Sequence, residues 1–127
     1  MIDKSNYVFT QIKNAISSLC TSANQTFVES PSEFPHMFFN QIDNSSTADD
    51  LDNNENAVNT TVEITIYATG SRKLSTVKSI MKLADSRMRE LGFRRIYGPT
   101  QITNVSDTSI CRYLARFTRI IGSSDTI

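Results

Sequence analysis

The segment from Thr61 to Phe93 constrains the fold most, because a strand pattern is followed there directly by a helix pattern. Between residues 61 and 69 apolar and polar side chains alternate, and four apolar ones share one face: Val62, Ile64, Ile66 and Ala68. Alternation with period two, carried by β-branched residues, is typical of a half-buried strand. Gly70 follows and lets the chain turn, so the next element can pack back on the sheet.

The helix pattern extends from residue 71 to residue 91. Its apolar residues recur at spacings of three and four, with Ile80 alongside: Leu74, Val77, Met81, Ala84, Met88 and Leu91. Such a stripe predicts an amphipathic helix that lies on the sheet. Ser71 or Ser75 is predicted to cap its start, and Gly92 is suited to the left-handed conformation that often follows a helix. None of these residues has the character of a catalytic group.

The length of 127 residues predicts a single domain, residues 1–127, with enough chain to bury a core without disulfides or metals. There is no apolar run of roughly eighteen residues, so no transmembrane helix is expected. The first residues lack the pattern of a signal peptide. Cys20 and Cys111 are too few for a disulfide framework, and we expect reduced thiols.

The net charge is zero, but the two halves of the chain differ. Residues 1–60 contain eight acidic and two basic residues, a net of −6, whereas residues 61–127 contain five acidic and eleven basic residues, a net of +6. This division fits an ordinary domain whose halves interleave. It also fits a subunit that presents opposite charges to its neighbours in a head-to-tail ring, where complementary charges fix partner and register.

The remaining patterns predict one more helix and several strands. A first helix, capped by Asp3 or Ser5, is expected to run to about Cys20. Strands are predicted at residues 26–29, 36–42, 93–97 with a continuation at 101–105, and 109–121. The polar, acidic segment 43–60 is predicted to be a flexible loop, and residues 122–127 a frayed tail.

These elements predict an α+β fold. The expected sheet is mainly antiparallel with four to five strands, and both helices pack on one of its faces. The expected order is α-β-β-loop-β-α-β-β, with the acidic loop as the central connection. In the last strand, residues 111, 113, 115 and 117 are predicted to face the helices.

The outer face of that strand carries arginines, which suits either a solvated surface or a surface that meets subunits or nucleic acid. We regard the acidic loop and the basic strand as candidates for opposite sides of a contact between subunits. The candidate interface residues are Asp43, Asp49, Asp50, Asp52, Glu55, Arg112, Arg116 and Arg119.

No motif indicates catalysis, a metal site or a cofactor site. The acidic residues 49–55 have the composition of a calcium loop but lack its glycine and its final glutamate. Residues 70–73 follow a strand and open a helix, but they lack the second glycine and the ending of a phosphate-binding loop. His36 and Cys111 could meet as a thiol–imidazole pair, although the apolar neighbours of Cys111 favour a buried structural thiol. The sequence therefore predicts a protein that is not an enzyme and needs no cofactor.

Four segments together resemble a known family. They are Phe34-Pro35-His36-Met37-Phe38-Phe39 with Gln41-Ile42-Asp43-Asn44, Glu55-Asn56-Ala57 ahead of the strand 62–68, residues 80–95, and residues 110–117. Their order and spacing resemble the tail-terminator (minor capsid or tail-completion) proteins of long-tailed bacteriophages and of related tail-like particles of Gram-positive bacteria. The resemblance covers roughly residues 1–121.

The resemblance implies a structural protein that forms a six-membered ring on the head-proximal end of the tail tube. Such a ring stops tube polymerisation and offers a surface to a head connector. The implied partners are further copies of the chain, the tail tube protein, and a connector, neck or collar protein, with DNA only as passing cargo and no membrane. The implied location is the virion tail or tail-like particle, and the host cytoplasm during assembly.

Three other functions remain open from the sequence. The nearest is a head–tail joining protein of the neck. A small nucleic-acid-binding α+β module would use the arginine-bearing face, although a net charge of zero gives it a weak electrostatic footprint. A hydrolase that uses Cys111 is the third.

Overall fold

The computed structural model describes residues 1–28, 31–47, 49–103 and 107–127. Within these ranges the chain forms two helices and a five-stranded sheet. The elements are α1 (Ser5–Ile16), β1 (Ser22–Asn24), β2 (His36–Ser46), β3 (Ala57–Ala68), α2 (Lys73–Glu90), β4 (Arg94–Thr103) and β5 (Cys111–Gly122). The α+β class with two helices is thus confirmed.

The sheet is mixed, and its spatial order is β1-β2-β3-β5-β4. β1 runs parallel to β2, whereas all other neighbours are antiparallel. The prediction is wrong at the first strand, because residues 22–24 form it and pair with His36–Phe38, whereas residues 26–28 are not strand. The Phe27 ring packs edge-on against Phe38, with centroids 5.7 Å apart, and stays 60% exposed, so an aromatic contact takes the place of strand pairing at this residue. Residue 29, the end of the predicted strand, lies outside the described residues.

The predicted loop 43–60 is much shorter than expected. Residues 43–46 belong to β2 and residues 57–60 to β3, in a register that runs from Asp43 opposite Thr61 to Ser46 opposite Val58. β3 is also paired with β5 as far as Ala57, and the Val58 side chain is fully buried. Two neighbouring strands therefore order this polar segment, because strand formation depends on pairing and packing more than on composition.

Both helices pack on one face of the sheet and close the main core. α1 contributes Val8, Ile12 and Ile16, and α2 contributes Val77, Ile80, Met81, Ala84 and Met88. The α2 stripe is confirmed except at Leu74, which is 39% exposed. α1 ends at Ile16 rather than near Cys20.

The helix termini differ partly from the prediction. Neither helix has a side-chain hydrogen bond from its N-cap residue, so the predicted caps Ser71 and Ser75 are wrong. The Asp3 carboxylate accepts a hydrogen bond from the Ser5 N–H (2.9 Å) at the start of α1. Gly92 has φ +86°, as predicted for the residue that ends α2.

β4 is an edge strand that continues through Gly98-Pro99, where a break was predicted. Register shifts between Arg95 and Tyr97, and between Tyr97 and Thr100, accommodate the extra residues opposite β5. A proline is tolerated there because one side of an edge strand has no partner. Residues 104–105 of the predicted continuation, and residue 106, lie outside the described residues.

The outer face of the sheet is half covered. A small cluster of Phe38, Tyr67 and Ile110, with Phe34 against it, lies under the connection between β1 and β2. The faces predicted for β5 are confirmed, since residues 111, 115 and 117 are buried in the main core and Tyr113 packs against it.

The predicted frayed tail is attached to the sheet. Gly122 is the last residue of β5, and the Ser123 N–H donates to the carbonyl oxygen of Asn56 (2.8 Å). The Gly122 N–H donates to the Asp125 carboxylate (2.8 Å), and Ile127 packs against the main core. These contacts offset the entropy lost on ordering a polar segment.

Candidate subunit interface

Residues 49–56 form an acidic hairpin tip at the end of β2 and β3. Asp49 and Glu55 form an isolated antiparallel bridge. The Asp50 carboxylate accepts hydrogen bonds from the N–H groups of Asp52 (3.0 Å) and Asn54 (2.8 Å). These bonds, of which the one from the Asn54 N–H has the largest effect, lower the pKa of Asp50 and so favour its charged form. The acidic turn therefore has a defined conformation.

The tip presents one apolar side chain between carboxylates. Leu51 is fully exposed and follows Asp49 and Asp50 directly and precedes Asp52, and all three carboxylates are exposed. Ser46 Oγ donates a hydrogen bond to Asp49, and Glu55 accepts one from the Ile2 N–H (2.5 Å). Four of the five predicted acidic residues are thus brought together here. The fifth, Asp43, lies within β2 and accepts a hydrogen bond from Ser45 Oγ (2.5 Å).

Arg116 lies on the open half of the outer face, where its charge is matched within the chain. Its Nε lies 2.8 Å from Glu63 Oε2, and its guanidinium stands 5.2 Å from the centre of the Tyr97 ring. An exposed ion pair of this kind contributes little to stability. It also leaves little unmatched positive charge for a partner at this position.

Arg112 is nearer the covered half of the same face. Its guanidinium lies 5.8 Å from the centre of the Tyr67 ring, and its buried Nε has no hydrogen-bond partner among the described residues. Burial raises the pKa of Tyr67, and the Arg112 charge opposes that rise. Arg112 therefore belongs partly to the interior of the molecule.

Arg119 lies on the helix side of the sheet and is not brought together with Arg112 and Arg116. Its Nη1 donates to the Leu91 carbonyl oxygen, and its Nη2 lies 3.5 Å from Asp125 Oδ2. Side chains three positions apart in a strand point to opposite faces, so the alternation in the sequence already separated Arg116 from Arg119.

A basic groove between α2 and β4 was missed by the sequence analysis. It has a volume of about 450 Å³, and its lining residues are Lys78, Met81, Lys82, Asp85, Ser86, Arg95, Pro99 and Tyr113. Asp85 bridges two arginines, since its carboxylate oxygens lie 2.9 Å from Arg89 Nε and 3.0 Å from Arg95 Nη1. The spacing of Lys78 and Lys82 by four residues indicates one basic helix face. The groove itself could not be predicted, because its other wall is formed by β4.

The basic groove and the acidic tip are far apart in one chain. Tyr113 in the groove precedes Gly122 by nine residues of β5, and Gly122 pairs with Ala57 at the base of the tip. At about 3.3 Å per residue this separation is roughly 30 Å along the strand. The groove also lies beside the edge strand β4, two strands away from β3. The two surfaces therefore cannot meet within one molecule.

His36 and Cys111, which the sequence allowed to meet as a thiol–imidazole pair, lie on opposite faces of the sheet. His36 Nδ1 lies 2.7 Å from Ser22 Oγ on the outer side, while Cys111 is buried in the main core. Burial lowers the pKa of His36, although Glu33 opposes this. Burial raises the pKa of Cys20 to about 11 and also raises that of Cys111. In the described ranges no three His, Cys, Asp or Glu side chains are grouped so as to hold a metal ion.

Neither described helix has the length and apolar character needed to cross a membrane. The sequence matches no model of a protein family and no curated protein.

Proposed function

We propose that this protein is a structural component of a phage tail or tail-like particle. It assembles as a ring on the head-proximal end of the tail tube, stops tube polymerisation and offers a surface to a head connector or collar. The observation that carries the proposal is the position of two oppositely charged surfaces, the acidic hairpin tip and the basic groove, at separate places on one sheet.

Separate complementary surfaces favour head-to-tail assembly. When subunits join through two different surfaces, one end of the row has a free surface of the first type and the other end has a free surface of the second type. Both surfaces are occupied only when the row closes into a ring. Opposite charges on the two surfaces steer encounter and fix the register. The six-membered size of the ring comes from the resemblance alone.

The partners follow from this role. They are further copies of the chain, the tail tube protein on one side of the ring, and a connector, neck or collar protein on the other. DNA passes only as cargo where a head is present, and no membrane is involved. The protein would act in the host cytoplasm during assembly and remain in the virion tail or tail-like particle.

The test is electron microscopy of particles from a producing strain that lacks this gene, with the intact gene restored as control. We expect overlong tail tubes without heads, and normal lengths after complementation. Normal-length tails beside unattached heads would replace the terminator role with head–tail joining. Intact infectious particles would overturn both roles.

The nucleic-acid-binding alternative is weaker. Arg116 is paired with Glu63 and Arg112 is half-buried, so the outer face offers little unmatched positive charge to phosphates. Tight DNA binding by the isolated protein, falling steeply with salt concentration, would support this alternative.

A further inference from the structure

We infer that the hairpin tip of one copy docks in the basic groove of the next copy. This inference rests on the ring assembly proposed above and names the two surfaces that make its contact. The occupant of the groove is thus a second copy of this chain, through residues 49–56.

The tip has the properties of a preformed ligand. Leu51 stands fully exposed at the end of a turn that the Asp50 carboxylate holds through the N–H groups of Asp52 and Asn54. A turn that is already ordered loses less conformational freedom on binding, which favours association. Exposure of a leucine at such a position leaves apolar surface that burial against a partner would remove from water.

The groove has the matching features. Met81, Pro99 and Tyr113 provide apolar and aromatic surface, and about 450 Å³ is ample for a leucine side chain. Lys78 and Lys82 lie one helical turn apart and are exposed. Neither lysine has a hydrogen-bond or ion-pair partner among the described residues, whereas Arg95 is already paired with Asp85. The two lysines are thus the charges that the groove can offer to a partner.

The charges of the two surfaces correspond. Asp50 and Glu55 accept hydrogen bonds from main-chain N–H groups of their own chain, and Asp49 accepts one from the Ser46 hydroxyl. Asp49 and Asp52 are both exposed, one on each side of Leu51 in the chain, so their carboxylates are accessible to a partner. Two carboxylates that flank one apolar side chain match two lysines beside one apolar groove. Docking would place Leu51 in the groove and pair Asp49 and Asp52 with Lys78 and Lys82.

Because the two surfaces lie roughly 30 Å apart along β5, the contact forms between copies and not within one. Each copy gives one tip and receives one tip. Repetition of this contact between two different surfaces generates a closed ring or, if the ring does not close, a filament.

The direct test is a disulfide trap in the full chain. The variant D52C/K82C should form a ladder of covalent multimers under mild oxidation, because a docked tip brings the two thiols together. The native Cys20 and Cys111 are buried and do not compete. The matched control D52C/K13C keeps one cysteine on the tip and moves the other to an exposed position of α1. A ladder of equal extent in the control, or no ladder at the highest soluble concentration, would overturn the inference.

A charge swap supplies an independent test. K78E/K82E and D49K/D52K should each weaken self-association by at least about tenfold, and the four changes combined should restore it, measured by analytical ultracentrifugation. K4E/K13E makes the same change of charge at exposed positions outside the groove and should have no such effect. Failure of the combined variant to restore association, or an equal loss in K4E/K13E, would contradict the contact.

The two proposals can fail separately. Overlong tubes in the deletion strain without the D52C/K82C ladder would keep the terminator role and exclude this contact. A specific ladder with normal tails in the deletion strain would keep the contact and exclude the role.

Discussion

Arg119 donates a hydrogen bond from Nη1 to the carbonyl oxygen of Leu91, 2.5 Å away, and thereby joins β5 to the end of α2. A cation at a helix C-terminus interacts favourably with the helix dipole and with carbonyl groups that have no partner in the helix. Gly92 passes close to the same guanidinium, since a side-chain carbon there would lie 3.2 Å from it. Arg119 is therefore part of the structural support of α2.

Replacing Arg119 should destabilise the fold. We expect Arg119→Ala to lower the free energy of unfolding by about 1–3 kcal/mol, because a charge-assisted hydrogen bond to a helix end is lost. Urea denaturation followed by circular dichroism measures the change. Arg94→Ala removes an exposed arginine of β4 and should cost much less. Equal losses in both variants would contradict the role assigned to Arg119.

The Arg116–Glu63 pair predicts a reversible charge effect. Arg116→Glu places two carboxylates opposite each other on neighbouring strands and should cost about 1 kcal/mol. The double variant Arg116→Glu with Glu63→Arg should regain most of this stability, since the pair is restored in the opposite direction. Thermal unfolding of the four proteins in a double-mutant cycle measures the coupling. A coupling near zero would show that the ion pair contributes nothing.

The same variants test whether Arg116 meets a partner. If assembly uses the tip and the groove, Arg116→Glu should leave self-association unchanged, because Arg116 lies on the outer face and outside both surfaces. Analytical ultracentrifugation measures this. If Arg116→Glu abolished association, and no substitution in the groove restored it, the contact would instead belong to the outer face.

Val58 tests the correction of the predicted loop. Its side chain is fully buried and pairs with Ile121 across the sheet, so Val58→Ala should cost roughly 1–3 kcal/mol through lost burial and the cavity left behind. Val28→Ala removes the same atoms from a valine that is 36% exposed and should cost much less. A negligible effect of Val58→Ala on urea denaturation would mean that the segment 57–60 is not packed.

His36 predicts a loss of stability in mild acid. Burial lowers its pKa below the usual 6.5, so the folded state binds fewer protons than the unfolded state. The stability linked to His36 is therefore complete above pH 6.5 and is lost as the pH falls through the folded-state pKa. Urea denaturation between about pH 7 and about pH 5 should show a decline that His36→Gln reduces. An identical pH dependence in both proteins would assign the decline to other groups.

Local periodicity predicted the elements that pack on the core. The alternation from Val62 to Ala68 and the stripe from Val77 to Met88 appear as β3 and α2, because each pattern matches one buried face of its own element. The alternation in β5 likewise placed Ala115 and Phe117 toward the helices. The extent of β2 and β3 could not be predicted in this way, because their outer residues are polar and are ordered by neighbouring strands.

The sequence by itself determined the two amphipathic helices, the core-facing residues of β3 and β5, and the division of charge between the two halves of the chain. These properties are local, since they depend only on the order of residues along the chain. Tertiary structure alone decided that Glu63 compensates Arg116 and that a basic groove opens between α2 and β4. The reason is that these relationships join residues distant in sequence, whose positions are fixed only when the strands pair in one register.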